Sequence, residues 1–280
     1  MRYSMMIVPM LILACGVTAH AADDAATEMM SITTETPFIQ PLFGQSMWTL
    51  ENSADIEASL AFGAIMGFEK TKRVKNAEDI LHHNANGLYV MFHTAGEDKP
   101  ETFAVSSWRF GFTAEDSYGY AFNETDNTGF YLSSAKAPLS WYSVSIDGEG
   151  NESLAGYSQL NRFPDGLRFG EAATASIGVR VSDPVTVTAG FEWALVYERH
   201  IFWYWAGSAV IEGVADGLAS WFVREVGVSS PAALPIMHFI LRNGVAMGFK
   251  ALRQNEMNWP ITSAAPLNVI TYSLGVNVHF

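Results

Sequence analysis

The residues with the most chemical capacity lie between two strand-like regions near the C-terminus: Arg199, His200, Glu212, Asp216, His238 and Arg242, with Ser208, Ser229 and Ser230 nearby. A histidine can act as a base when a carboxylate orients it, and a serine can then serve as nucleophile. His200 or His238 with Glu212 or Asp216, and Ser230 among the serines, would make such a set. The spacing contains no ordered triad motif. The bland alternative is a polar network of Arg199, Glu212, Asp216, His238 and Arg242 that locks one element to another. Buried polar groups need partners, so this network is expected to line a barrel lumen or its rim. No Walker loop, GxGxxG, HExxH or GxSxG motif occurs, so no cofactor is expected. His82 and His83 are adjacent in what reads as a polar connection, with no third ligand, so no metal site is expected. Cys15 is the one cysteine.

These residues must be held by a helical unit. The connection from Glu198 to Leu267 is too long for a plain loop, and its apolar period changes to 3.6. Val210, Ile211, Val214, Leu218, Trp221 and Phe222 recur at helical spacing. Glu212, Asp216 and Ser220 form a polar stripe. Gly213 and Gly217, four apart, would allow close helix approach. Ser230 before Pro231 marks a second helix start, running from about Ala232 to Arg253. The insert spans 199–260. Phe202, Trp203, Tyr204 and Trp205 read as a membrane-interface anchor.

Around the insert the chain alternates with period 2. Ile270, Tyr272, Leu274, Val276, Val278 and Phe280 share one face, and Thr271, Ser273, Gly275, Asn277 and His279 the other. Ala173–Val181 and Val185–Tyr197 alternate likewise around a tight turn at Ser182–Pro184. Their Arg180 and Glu192 fall on the polar face and are expected to pair. Residues 22–54 read as a flexible lead-in, residues 71–86 as a polar connection, and 55–280 as the barrel domain. Alternation leaves the face open, because a soluble ligand-binding barrel has the same period with its apolar face inward.

Residues 1–21 have the pattern of an export signal: Arg2, an apolar stretch from Met5 to Val17, and Ala19-His20-Ala21. A lipobox reading at Leu11–Cys15 is the alternative. Charged residues are 16% of the chain against 49% hydrophobic and 13% aromatic. A net charge of −13 argues against nucleic acid as a partner. After the signal, no apolar run is uninterrupted for the length of a spanning helix. Ile201–Val223 comes nearest, broken by Glu212 and Asp216.

The alternating strand ending on Phe280, together with the export signal, resembles bacterial outer-membrane β-barrel proteins. Their terminal strand, here Tyr272 to Phe280, is read by the barrel-assembly machinery. The resemblance implies a mainly β, transmembrane antiparallel β-barrel of eight to ten strands in the Gram-negative outer membrane, with an α-helical hairpin before the last strand. The lipid of that membrane would be a partner. The expected role is non-enzymatic, structural or binding, and it includes a hydrophobic ligand or lipid. The alternatives are an outer-membrane lipid hydrolase or acyl-modifying enzyme using His200 or His238, a narrow channel, and a soluble periplasmic binding barrel.

Overall fold

The computed structural model describes residues 35–280, apart from 76, 97–100, 148–150, 165 and 200–201. The export segment 1–21 lies outside the described residues. Eight strands close into one antiparallel barrel in chain order. They are β1 (Thr36–Thr49), β2 (Ser59–Val74), β3 (Ala77–His93), β4 (Ala104–Ala121), β5 (Gly129–Asp147), β6 (Arg168–Ser182), β7 (Val185–Val196) and β8 (Leu267–His279). β1 closes the barrel against β8, with Phe43 opposite Leu274.

Two sequence expectations are corrected here. The lead-in 22–54 contains β1, whose prolines disguise it. The β1–β8 ladder skips Gln40 and Pro41, where the proline has no N–H to give. Residues 71–86 are not a connection, because β2 runs through them to Val74 and β3 starts at Ala77. They look polar on both faces, since Thr71 and His83 face the lumen while His82 and Asn84 face outward, toward Asp116.

The faces are resolved by exposure. In β8, Leu274 is 64% exposed while Thr271 is 1% exposed. Phe62, Met66, Phe68, Leu88, Trp108, Phe112, Ile177 and Val187 are also exposed, on the outer wall. A soluble barrel would invert this. Apolar side chains outward and polar side chains inward are the pattern of a barrel surrounded by lipid.

At one end of the barrel the strands follow one another closely, β2 ending at Val74 and β3 starting at Ala77, with short turns at 122–128 and 183–184. The other carries long segments, at 50–58, 94–103, 148–167 and 197–266. At the loop end an apolar cap closes the mouth. Leu160, at the end of α1 (Tyr157–Leu160), packs with Phe163, Phe103, Trp48, Tyr142 and Val144. The amide of Ala54 donates to Ala155 O at 2.8 Å, which ties two of the loops together.

The insert forms two long helices, α2 (Phe202–Ser229) and α3 (Leu234–Arg253), joined through a 3-10 turn at Pro231–Ala233. A helix rises 1.5 Å per residue, so α3 is about 30 Å long, the thickness of a bilayer core. The segment Pro231–Arg253 is apolar and long enough to cross a membrane, although the sequence had pointed to no such helix after the signal.

Candidate functional site, a charged seam on the outer wall

The hairpin does not enter the lumen. α3 packs on β4, β5, β6 and β7, and α2 packs on α3. The wall residues beneath it are Asp116, Lys136 and Glu171, and strand parity decides their direction. Arg109 and Ser117 of β4 point into the lumen, so Asp116 points out. Thr174 and Arg180 of β6 point in, so Glu171 points out. The expected lumen or rim location is therefore corrected to the outer wall. The need for polar partners was correctly inferred, but the partners come from outward positions of the strands.

Both helices have the spacing for this. On α2, Trp205, Ser208, Ala219 and Val223 are buried, with Glu212 and Asp216 half-buried on the same stripe. These positions recur at three and four residues, one face of a helix. The opposite face carries Val210, Val214, Leu218 (63% exposed) and Trp221. On α3, His238, Asn243, Ala246, Phe249, Lys250 and Arg253 are buried, while Ile236, Ile240 and Leu252 are exposed. Each helix therefore turns seam charges inward and aliphatic side chains outward, while Arg224 and Glu225 near the end of α2 are exposed.

The seam has three levels. Nearest the loop end, Glu171 accepts from Lys250 Nζ and Arg253 Nη1, both at 2.6 Å. The Arg253 guanidinium also donates to Glu212 Oε2 at 2.7 Å and Ser208 Oγ at 2.9 Å. Glu171, Lys250 and Arg253 are 4%, 3% and 1% exposed. At mid-height, Asp216 accepts from Arg242 at 2.6 Å and lies 3.0 Å from Lys136 Nζ. Arg242 also donates to Ser220 Oγ at 2.8 Å. Nearest the turn end, Asp116 lies between two imidazoles, His238 Nε2 at 3.0 Å and His82 Nε2 at 2.8 Å. Tyr118 stacks on His82 with ring centroids 4.3 Å apart. Four carboxylates (Asp116, Glu171, Glu212, Asp216) thus meet four basic side chains (Lys136, Arg242, Lys250, Arg253) besides the two imidazoles. That balance is what a low-dielectric setting requires, because removing one partner leaves an uncompensated charge.

Apolar contacts secure the seam at both ends. Trp205 packs with Leu195, Tyr197, Met257 and Phe169 at the loop end. Val223 and Leu234 pack with Ala77 and Ile80 at the turn end, where Tyr120 Oη also donates to Ala232 O at 2.7 Å.

Of the residues singled out from sequence, Glu212, Asp216, His238 and Arg242 all lie in the seam. Arg199 is exposed and meets Glu198 at 3.6 Å, outside it. His200 and the side chain of Phe202 lie outside the described residues. Trp203 and Tyr204 are exposed, but Trp205 is buried and is not an interface anchor. Gly213 and Gly217 face open space, so they do not set the approach of α2 to α3. Ser230 is a helix-cap position whose side chain makes no cap hydrogen bond. The Ser208 hydroxyl accepts from Arg253 rather than facing a histidine. Tyr272 and Phe280 project outward. Reasoning from sequence missed Asp116, Lys136, Glu171, Lys250 and Arg253. The available signal was a charged residue at an otherwise outward strand position.

Inside the barrel, the expected Arg180–Glu192 pair does not form. Arg180 stands opposite Thr186 and Glu192 opposite Thr174, six residues further from the turn. Arg180 instead pairs with Glu69 at 2.5 Å, alongside His279. Glu192 pairs with Arg109, whose guanidinium also donates to Tyr142 Oη at 2.9 Å. His83 of β3 lies beside Thr71 and Glu69 in the lumen, on the opposite face from His82. Between the two ion clusters lies a cavity of about 70 Å³ bordered by Glu115, Ser176, Thr188 and Asn277. Among the described residues no group of three or more His, Cys, Asp or Glu side chains could hold a metal ion.

No family model matches the chain, and no curated protein does. Solved structures similar to it include Neisserial surface protein A, with TM-score 0.41 and 11% identity, covering 87% of this chain and 97% of that one. Ail, the attachment invasion locus protein of Yersinia pestis, in complex with the heparin analogue sucrose octasulfate, has TM-score 0.37 and 9% identity, covering 88% and 99%. The outer membrane protein OprG from Pseudomonas aeruginosa has TM-score 0.31 and 6% identity, covering 89% and 97%. The closed barrel itself rests on this chain's own strand pairing.

Proposed function

We propose that this chain is a bacterial outer-membrane β-barrel with a non-enzymatic structural and lipid-contacting role, and that its helical hairpin crosses the bilayer beside the barrel. The observation carrying this is the inverted polarity of α2, with Glu212 and Asp216 turned inward and Val214 and Leu218 turned outward. In water that arrangement exposes apolar surface and buries charge, both unfavourable. In lipid both signs reverse. The wall strands follow the same rule. Outer-membrane barrels carry short periplasmic turns and longer outer loops, so the turn end faces the periplasm.

The lumen favours a closed structural barrel over a channel, because ion clusters and the apolar cap fill it at three levels. The lipid-hydrolase alternative retains one geometric element, His238 held by Asp116. Neither Asp116-bound imidazole has a serine hydroxyl as partner among the described residues.

The test is membrane fractionation with gel mobility before and after boiling. A detergent-requiring protein that runs faster unboiled supports the reading. A protein released into the soluble periplasmic fraction overturns it.

A further inference from the structure

We propose that the cavity in the barrel lumen binds one monovalent alkali cation, sodium or potassium. The charges facing the lumen between the turn-end mouth and the apolar cap do not balance. Strand parity turns Glu69, Arg109, Glu115, Arg180 and Glu192 inward. Glu69 pairs with Arg180, and Glu192 pairs with Arg109. Among the described residues Glu115 meets no lysine or arginine, and its carboxylate accepts from Ser117 Oγ at 2.9 Å. Arg73 does not supply the missing charge, because the backbone carbonyls of Glu78, Asn123 and Asp126 hold its guanidinium at the mouth.

The local sequence opens the space. Glu115 stands between Ala85 and Ala135 in the strand ladder. Ser176, Gly190 and Ser273 stand side by side across β6, β7 and β8. The missing side chain at Gly190 leaves room between the two serines, where an added Cβ would lie 3.2 Å from Ser273 Oγ. All of these residues and Asn277 border the cavity of about 70 Å³. Asn277 is 7% exposed, and its Oδ1 is buried with no hydrogen-bond partner. Its Nδ2 donates to Glu69 Oε2 at 3.4 Å, which fixes the amide so that the unpartnered atom is an acceptor. A buried acceptor left in this state calls for a donor or a cation. A carboxylate, an amide oxygen and hydroxyls are hard oxygen donors, the set that suits alkali and alkaline-earth ions. The single surplus charge selects a monovalent ion. At about 10–15 Å³ for each water-sized sphere, the space holds an ion with a few waters and is too small for an ordinary organic ligand.

The experiment uses the full chain, folded in detergent with the ion present. It is dialysed to equilibrium against sodium, or against rubidium standing in for potassium, in choline chloride that screens the net charge of −13. Wild type should take up one ion per chain saturably, and the more tightly held ion identifies which of the two the site prefers. Glu115→Gln should weaken binding about ten-fold or more, because ligand charge sets affinity in oxygen-donor sites. Gly190→Ala keeps every charge and should weaken binding by narrowing the space, so it carries the test if Glu115→Gln fails to fold. Absence of saturable uptake by folded wild type would overturn the site. The cavity would then hold water alone, and a proton on His83, beside Glu69, would balance the lumen. Unchanged affinity in either folded variant, or displacement by equimolar magnesium, would also overturn it. The boiled and unboiled gel is run on every sample. A wild type without the mobility shift defeats the barrel reading, whereas a normal shift without ion uptake defeats the cation site alone.

Discussion

The barrel wall has charges on both sides, and the two sets are built differently. In the lumen, Glu69–Arg180 and Arg109–Glu192 join strands that are distant around the barrel, and each side chain occupies a position that alternation already assigns to the inside. On the outer face, Asp116, Lys136 and Glu171 break the alternation, because lipid-facing positions should be apolar. They are tolerated because α3 brings His238, Lys250 and Arg253 to meet them and α2 adds Glu212 and Asp216. The lumen network is therefore complete within the strands, while the outer network exists only when the hairpin is docked.

Deleting the hairpin should give the largest effect. Removal of residues 202–261 leaves Asp116, Lys136 and Glu171 facing lipid, at about 2–4 kcal/mol for a charge near mid-membrane and less for the acids. Folding yield into vesicles, read from the gel-mobility shift, should collapse. Adding Asp116→Val, Lys136→Leu and Glu171→Leu should restore it. Failure of the rescue would mean the hairpin does more than cover these charges.

A single break at each network should separate them next. Glu171→Ala strands Lys250, while Arg253 keeps Glu212, at a cost of about 3–5 kcal/mol. Glu192→Ala strands Arg109 at a similar cost on the same grounds. In hydrogen exchange the first should open α3 while the strands stay protected. The second should lower protection of β4 and β7 and spare α3. Identical exchange changes in both variants would erase the distinction. A smaller effect is expected on the lipid face of α2, where Leu218→Arg should cost about 2.5–3.5 kcal/mol of insertion. Arg199→Gln, outside the seam, should have no measurable effect on urea midpoints.

The smallest effect lies in the turn 122–128, outside the membrane-spanning segments. Hydrogen bonds from Thr128 and Asn123 hold the Asp126 carboxyl below its usual range. A lowered folded pKa contributes stability above the unfolded value near 4, lost as pH falls through the folded value. The stability gap between wild type and Asp126→Asn should therefore close on acidification below about pH 4. A gap unchanged at acid pH would remove the carboxylate from that role.

How much was legible follows from the same contrast. Strands β6, β7 and β8 were plain because Ala173–Val181, Val185–Val196 and Ile270–Phe280 keep one face apolar and the other polar. β1 was hidden by Pro37 and Pro41, which a strand tolerates only where a ladder hydrogen bond is absent. The 71–86 stretch was hidden because His82 and Asn84 are outward yet polar, partnered by each other and by Asp116 of the neighbouring strand. The helices were found from their period, and four of the seam residues with them. Their location outside the wall depends on the wall's own exceptions, Lys136 and Glu171, and alternation alone gives no reason to join these to a distant insert.

The central claim is that α2 turns its apolar stripe to lipid, outside the barrel. A spin label at Leu218→Cys, in protein folded into bilayers, tests it through collision with molecular oxygen, which partitions into lipid, and with a water-soluble nickel chelate. A label at Val187→Cys on the bare wall serves as reference. The account predicts that residue 218 matches residue 187, with strong oxygen broadening and little from nickel. Strong nickel broadening at 218 with a lipid signature at 187 would show the helix facing water and contradict the account.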